Sequence, residues 1–475
     1  MPSTPIQIND PLLDNLQANI LKGHGRNFAH HLFFQFDVEK VNLAKDWISQ
    51  FASSPGGITS AEQQLETTAD FKAGKRTDGG TIFTLSLTSK GYDILGLNAS
   101  KPNSGSFFNG MEGSADLLKD DKSNWEEAFK ADIHMLLIVA DADSTIAKNN
   151  ANGIVNEISS FATLLLNQRG NVLKVKGGTG IEHFGYADGI SQPLFLADDI
   201  NGQGATTEWN DETDRNLLLV QDSGTDQPDS FGSFLVFRKL EQNVKAFKDA
   251  EGDDGPAGAK VPVIKDVDGN NNKDLGGAWN IGRFENGTPV AKSSVALQTN
   301  LTNPTNDFNY ADDLQAIKCP FPGHTRLMNP RDGDTIAGDV SAQRITRRGI
   351  PFDDVQRIPE AEITNISDEL LDKNQPTGGV GLLFMSYQSS IETQFEIIKG
   401  HWANEGNIRG HLIGAQDSLI GQGTNPDKTL PQQWGQPSQT SPFSFHGFVT
   451  MKGGEYFFTP SISFLKSVGN TQAAV

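Results

Sequence analysis

Short apolar runs, each followed by an amphipathic stretch, recur in a repeated order along this chain. HLFFQFD, from His31, has the apolar density of a buried strand. Val41, Leu43, Ala44, Trp47, Ile48 and Phe51 follow it at close to the i, i+3, i+4 spacing of a helix face. SFLVFRKLEQNVKAFKDA, from Ser233, repeats the scheme: a strand, then Leu240, Val244 and Phe247 on one helical face. HMLLIVADADSTIAKNNANGIVNEISSF, from His134, and GLLFMSYQSSIETQFEIIKGHW, from Gly381, form a second pair, each a strand leading into a long helix. This recurrence predicts an α+β fold of two similar halves, each a split βαβ arrangement on an antiparallel sheet. The polar stretch from Ala197 to Asn216 is the expected boundary, dividing the chain into domains 1–215 and 216–475. A second loop-rich region, Asp249 to Gly277, is dense in Gly, Asp and Asn.

Composition narrows the function classes. The 475 residues carry 36% hydrophobic and 21% charged positions, enough apolar material for sizeable cores. The formal net charge of −20 disfavours nucleic acid and anionic lipid, both of which need clustered Lys and Arg. A single cysteine, Cys319, excludes an intrachain disulfide framework and a multi-thiolate zinc site. No apolar run is long enough for a bilayer, and no basic region followed by an apolar stretch opens the chain. The expectation is an intracellular protein or, if the sequence is a mature form, a secreted one. P-loop, H-E-x-x-H and paired C-x-x-C motifs are absent.

Four segments could carry chemistry. HFGYADGISQP places Asp188 between Ala187 and Gly189, where it either caps its own turn or faces a ligand. CPFPGHTRLMNPR places His324 after a Pro-Gly pair, with Arg326 and Arg331 close behind. An imidazole suits a transition metal or haem iron, and guanidiniums suit carboxylates such as haem propionates. The other eight histidines read as unligated. RITRRGIPF holds Arg344, Arg347 and Arg348 ahead of a partly buried turn. GLLFMSYQ sets Leu382 and Phe384 on one strand face, fit for core packing or for an apolar pocket. Asp266, Asp268, Asn270 and Asp274 approach calcium-loop spacing, but Asn271 and Gly277 stand where Gly and Glu are required, so a polar loop is expected.

Taken together, these segments resemble the dye-decolorizing peroxidase family. GYADGISQP is similar to its G-x-x-D-G motif, CPFPGHTRLMNPR to its proximal segment and RRGIPF to its distal-arginine segment. NILKGHGRNFAHHLF, from Asn19, and GAQDSLIGQ, from Gly414, resemble segments near its two ends. The resemblance implies two ferredoxin-like domains in a dimeric α+β barrel-like arrangement, with one haem b per chain between distal and proximal walls. It implies a peroxidase that uses H2O2 to oxidise dyes and phenolics through a ferryl haem, with no nucleic acid or membrane partner and an undecided oligomeric state. The alternative is a haem-binding or haem-delivery protein with incidental activity. Residue by residue, it implies His324 as axial ligand, Asp188 and Arg347 as the catalytic pair, and Arg331 on a propionate. Gly189, Ile190, Ser191, Leu382 and Phe384 would line the haem pocket, and Asp417 would accept the other ring N–H of His324. Gly349 stands where some relatives carry a polar group. An Asp base predicts an acidic optimum. Trp279, Tyr310, Trp402, Trp434 and Tyr456 are candidate electron relays for dyes too bulky to reach a buried haem.

Overall fold

The computed structural model describes residues 4–202, 208–251, 261–298, 304–331, 340–408, 410–413, 415–424 and 427–470. Parts of the 197–216 boundary and of the 249–277 loop region lie outside them, as does Gly414.

Among the described residues, ten strands form one antiparallel sheet: β1 (Phe28–Phe36), β2 (Ile82–Leu87), β3 (Met135–Asp141), β4 (Ala162–Asn171), β5 (Val220–Gln221), β6 (Phe231–Gln242), β7 (Thr346–Arg347), β8 (Ile350–Asp353), β9 (Val380–Gln388) and β10 (Val449–Thr459). The first four lie in the order β4-β1-β3-β2. The later ones lie in the order β10-β6-β9, with β7 and β8 both on β9. Each half therefore repeats the first-strand-central order of a ferredoxin-like sheet. The halves join where Phe458 of β10 pairs with Leu87 of β2. At the far ends, Gln168 of β4 donates to the Asp354 carboxylate just beyond β8 at 3.1 Å. A Cβ on Gly170 would fall 2.7 Å from Ile350. The two edges thus meet through side chains, giving a barrel-like closure.

The helices start where the repeated pattern places them. α1 (Val41–Ser53) follows β1; α2 (Ser144–Ile158) follows β3 and is capped by Asp143, which accepts from the N–H of Thr145 and Ile146. α3 (Val244–Glu251) follows β6 directly. α4 (Lys273–Ile281) and the short α5 (His324–Met328) lie in the long insertion of the second half. α6 (Ile391–Ala403) follows β9, capped by Ser390, and is wound as a π-helix, an uncommon form that gathers at functional sites. Among the described residues, no helix is long and apolar enough to cross a membrane.

Two expected positions differ. Leu43 on α1 is exposed, because the buried face runs through Ala44, Ile48 and Ala52. Leu240 belongs to β6 rather than to a helix: strand alternation continues to Gln242, and the helix begins only at Val244. That alternation matters for the site. It sends Leu235, Phe237, Leu383 and Met385 into the barrel core, where Phe237 meets Phe33 edge-on at 4.9 Å. It turns Arg238, Leu240, Gln242, Leu382 and Phe384 towards a cleft on the other face.

Candidate functional site

The cleft lies between β6, β9 and α6 on one side and the loops around residues 182–193, 324–330 and 340–347 on the other, with a cavity volume of about 250 Å³. Glu182 shapes the first loop. Its carboxylate accepts from the backbone N–H of Phe184 at 2.9 Å and Tyr186 at 3.0 Å. Burial pushes this acid up to about 7, against the pull of those hydrogen bonds, and the Asp188 charge adds to the rise. Gly189, with φ +76°, takes a conformation that a side chain rarely adopts and turns the chain just after Asp188. The loop is pinned at the acid and just before it: Ala187 N–H donates to Glu285 O and Asp188 N–H to Gly180 O.

Asp188 Oδ1 accepts from Arg347 Nη1 at 3.0 Å, and each side chain keeps about a third of its surface exposed (32% and 34%). Arg347 comes from β7, where it pairs with Ser386 of β9. Its Nη2 donates to Ser191 O and its backbone N–H to Gln192 Oε1, both at 3.0 Å. Arg348 points elsewhere: its guanidinium donates to the carbonyls of Asn19, Ile20 and Arg347. Three carbonyl dipoles serve this half-buried cation in place of an anion. At Gly349 an added Cβ would stand in ordinary contact with Leu382, so this part of the wall is apolar.

Opposite chemistry gathers at α5. His324 opens this helix, and its Nδ1 lies 3.0 and 3.2 Å from the two carboxylate oxygens of Asp417. Asp417 is fully buried, and its Oδ1 also accepts from the N–H of Leu419 and Ile420. Burial pushes its pKa up, but the facing imidazole and the two backbone donors outweigh that and hold it below the usual carboxylate range. With Nδ1 taken, Nε2 is the ring nitrogen left to a ligand, and His324 lines the cleft.

These residues fit a haem. The donor set is one imidazole oriented by a carboxylate, and the walls include Leu240, Leu382, Phe384, Phe395, Ile398 and Leu419. Cations without carboxylate partners stand close by. Arg331 is buried, donates to Asn306 O, Asn306 Oδ1 and Phe308 O, and keeps Nε without a partner. Burial lowers it to about 9. It does not line the cleft but sits behind Ser191, 3.5 Å from that hydroxyl. Arg283 does line it and donates to Gly287 O, Thr305 O and Asn306 Oδ1. Among the described residues, neither makes an ion pair, which suits an incoming anionic group.

Gly189, Ile190 and Ser191 also line the cleft beside Asp188. Arg326, expected beside Arg331 as a propionate partner, is instead held by Asp313 at 2.9 Å in a buried ion pair. Of the relay candidates, Trp279, Tyr310 and Tyr456 are buried, Trp402 is buried against the cleft, and Trp434 alone is partly exposed. Asp266 accepts from the N–H of Asp268 and Asn270 within its own loop. Among the described residues, no cluster of three acids, histidines or cysteines could hold a metal ion. Sequence reasoning missed Gln192, although it lies inside the ISQP segment. It also missed Arg283 and Lys399, which only the tertiary fold brings to the cleft, and it gave no role to Arg344, which lines the cleft too.

Comparison with known proteins agrees with this architecture. Residues 15–173 match the DyP dimeric α+β barrel domain. The chain is 33% identical over 473 residues to a multifunctional dye peroxidase, DyP2, of Amycolatopsis sp., covering 96% of each sequence. It is 27% identical to a dye-decolorizing peroxidase of Exidia glandulosa, over 95% of this chain and 86% of that one. The solved DyP-type peroxidase of Anabaena sp. superposes with a TM-score of 0.85 at 35% identity, over 98% of both chains.

Proposed function

The chain belongs to the dye-decolorizing peroxidase family, and from that premise we propose that His324 is the axial ligand of its haem, with Asp188 and Arg347 the residues that handle peroxide. The protein is a haem peroxidase that oxidises one-electron donors with H2O2. The finer assignments are one haem b per chain, with dyes and phenolics as donors. They also place the division of the halves near residue 215, so that Asp188 comes from the first half and His324 and Arg347 from the second.

When bound, haem supplies the two-electron reduction of peroxide and the one-electron oxidation of donors. Asp188 takes a proton from one peroxide oxygen at Oδ2, the carboxylate oxygen that Arg347 does not hold. It returns that proton to the other oxygen, so that water leaves. Arg347 fixes the Asp188 carboxylate through Oδ1 and offers positive charge where negative charge develops. Asp417 accepts the Nδ1 proton of His324, fixes the tautomer and raises the basicity of Nε2. Arg331 and Arg283 would hold the propionates, with Ser191 between Arg331 and the cleft. Leu382 and Phe384 exclude water from the distal side.

The observation that carries this reading is one cavity lined by Asp188, Arg347 and His324, with Asp417 paired to His324 behind its wall. Two aligned pairs favour turnover over haem delivery, for which the acid–base group is superfluous. The test is a steady-state assay with H2O2 and an anthraquinone dye, alongside the absorption spectrum. The wild type is expected to show a Soret band and to decolorize the dye. A haem-loaded protein that fails to turn over would contradict the assignment.

A further inference from the structure

Two lysines are buried around Asp417. Lys399, on α6, is 5% exposed and donates from Nζ to Asn404 Oδ1 and to Ile420 O. Lys428 is 3% exposed and donates to Ser418 Oγ at 2.8 Å. Both thus grip the 417–420 turn, whose N–H groups cap the Asp417 carboxylate. Among the described residues, neither ammonium makes an ion pair. A neutral donor could tie the same turn without the penalty of burying a charge. The charge is therefore the feature that needs a use.

The field they share is that of Asp417. Burial lowers Lys399 to about 7, Arg238 lowers it further, and Asp120 and Asp417 pull it back up. Burial lowers Lys428 to about 8, again opposed by Asp417. His446 also lies near Lys428, and Asp427 acts on the same imidazole. A carboxylate shared among an imidazole, two backbone N–H groups and two nearby ammoniums draws less strongly on any one of them.

We propose that Lys399 and Lys428 are positioning residues that, tied to the 417–420 turn, restrain the pull of Asp417 on the His324 Nδ1 proton, and so set how strongly His324 donates to the haem iron. This rests on His324 being the axial ligand and Asp417 its partner. Removing either positive charge lets Asp417 draw the proton more strongly and gives the imidazole more anionic character. The oxidised iron is then favoured, both through the ligand and through the lost cation.

The holoprotein is tested by spectroelectrochemistry and by resonance Raman spectroscopy of its reduced form. Lys428→Met and Lys428→Gln are both expected to lower the midpoint potential and raise the iron–histidine stretching frequency. Lys428→Arg should keep both near wild type. Lys399→Met should act in the same direction as Lys428→Met. In an Asp417→Asn background, the frequency shift caused by Lys428→Met should vanish. If Lys428→Gln, which retains a hydrogen-bond donor, keeps wild-type values, or if the frequency shift persists without Asp417, the proposal is overturned. His324→Ala separates the underlying reading: an unchanged Soret spectrum in that variant would remove the ligand assignment itself.

Discussion

On one wall of the cleft, Asp188 and Arg347 meet at 3.0 Å, and each leaves about a third of its side chain exposed. On the other wall, Asp417 is fully buried and divides its oxygens among His324 and two backbone N–H groups. The first pair contributes little to stability; half-exposed ion pairs contribute about 0–1 kcal/mol. The second is costlier to break, because losing the imidazole would leave the buried Asp417 carboxylate short of a donor. The contrast fits the tasks proposed for the two walls. A group that must take and return a proton needs access and a free oxygen, whereas a pair that orients a metal ligand needs rigidity.

Substitutions test the contrast in order of size. His324→Ala should have the largest effect: haem is lost or mis-ligated, read as a diminished or shifted Soret band. Arg347→Leu should keep haem and its spectrum while slowing the reaction with H2O2 by roughly 10²–10³-fold, the range for removing one charge-stabilising donor. Loss of haem in that variant would erase the distinction between the walls. Asp417→Asn should weaken haem retention by about 10–100-fold, as for other partners of metal-bound histidines, while the Asn oxygen can still cap Leu419 and Ile420. Arg348→Leu should be smallest in catalysis, leaving the peroxide rate per haem unchanged. Its cost is stability, about 1–3 kcal/mol for each buried carbonyl left without a donor, measured by denaturant unfolding.

A pH prediction sharpens the buried side. The pKa of Asp417 is depressed in the fold, so the stability it contributes is complete above the ordinary carboxylate range. That stability is lost as pH falls through the lowered value. Haem-free Asp417→Asn should accordingly show a flatter acid limb in thermal unfolding than the haem-free wild type.

Much of this contrast was legible in the sequence because its parts are local. Asp188 with its following Gly, His324 after Pro-Gly, and the RRG run each occupy a few consecutive residues. Choosing Arg347 over its neighbour needed the family pattern, and the strand geometry gives the two arginines different surroundings: Arg347 meets Asp188, whereas Arg348 is spent on carbonyls. Asp417 lies 93 residues beyond His324, so its pairing could be expected only by resemblance. Arg283 and Lys399 carry no local signal, since each reaches the cleft only through packing of distant segments. Arg326 and Leu240 misled for opposite reasons. Arg326 is claimed by Asp313, a partner 13 residues earlier that spacing does not reveal. Leu240 fits a helical spacing, yet strand pairing with β9 and β10 overrides it.

The most direct measurement mixes the haem-loaded wild type and Asp188→Asn with one equivalent of H2O2 and follows the Soret band in time. The account predicts a prompt spectral change in the wild type and a rate lower by roughly 10²–10⁴-fold in the variant, the range for losing a positioned acid–base group, with resting spectra that agree. Equal rates in the two proteins would contradict it.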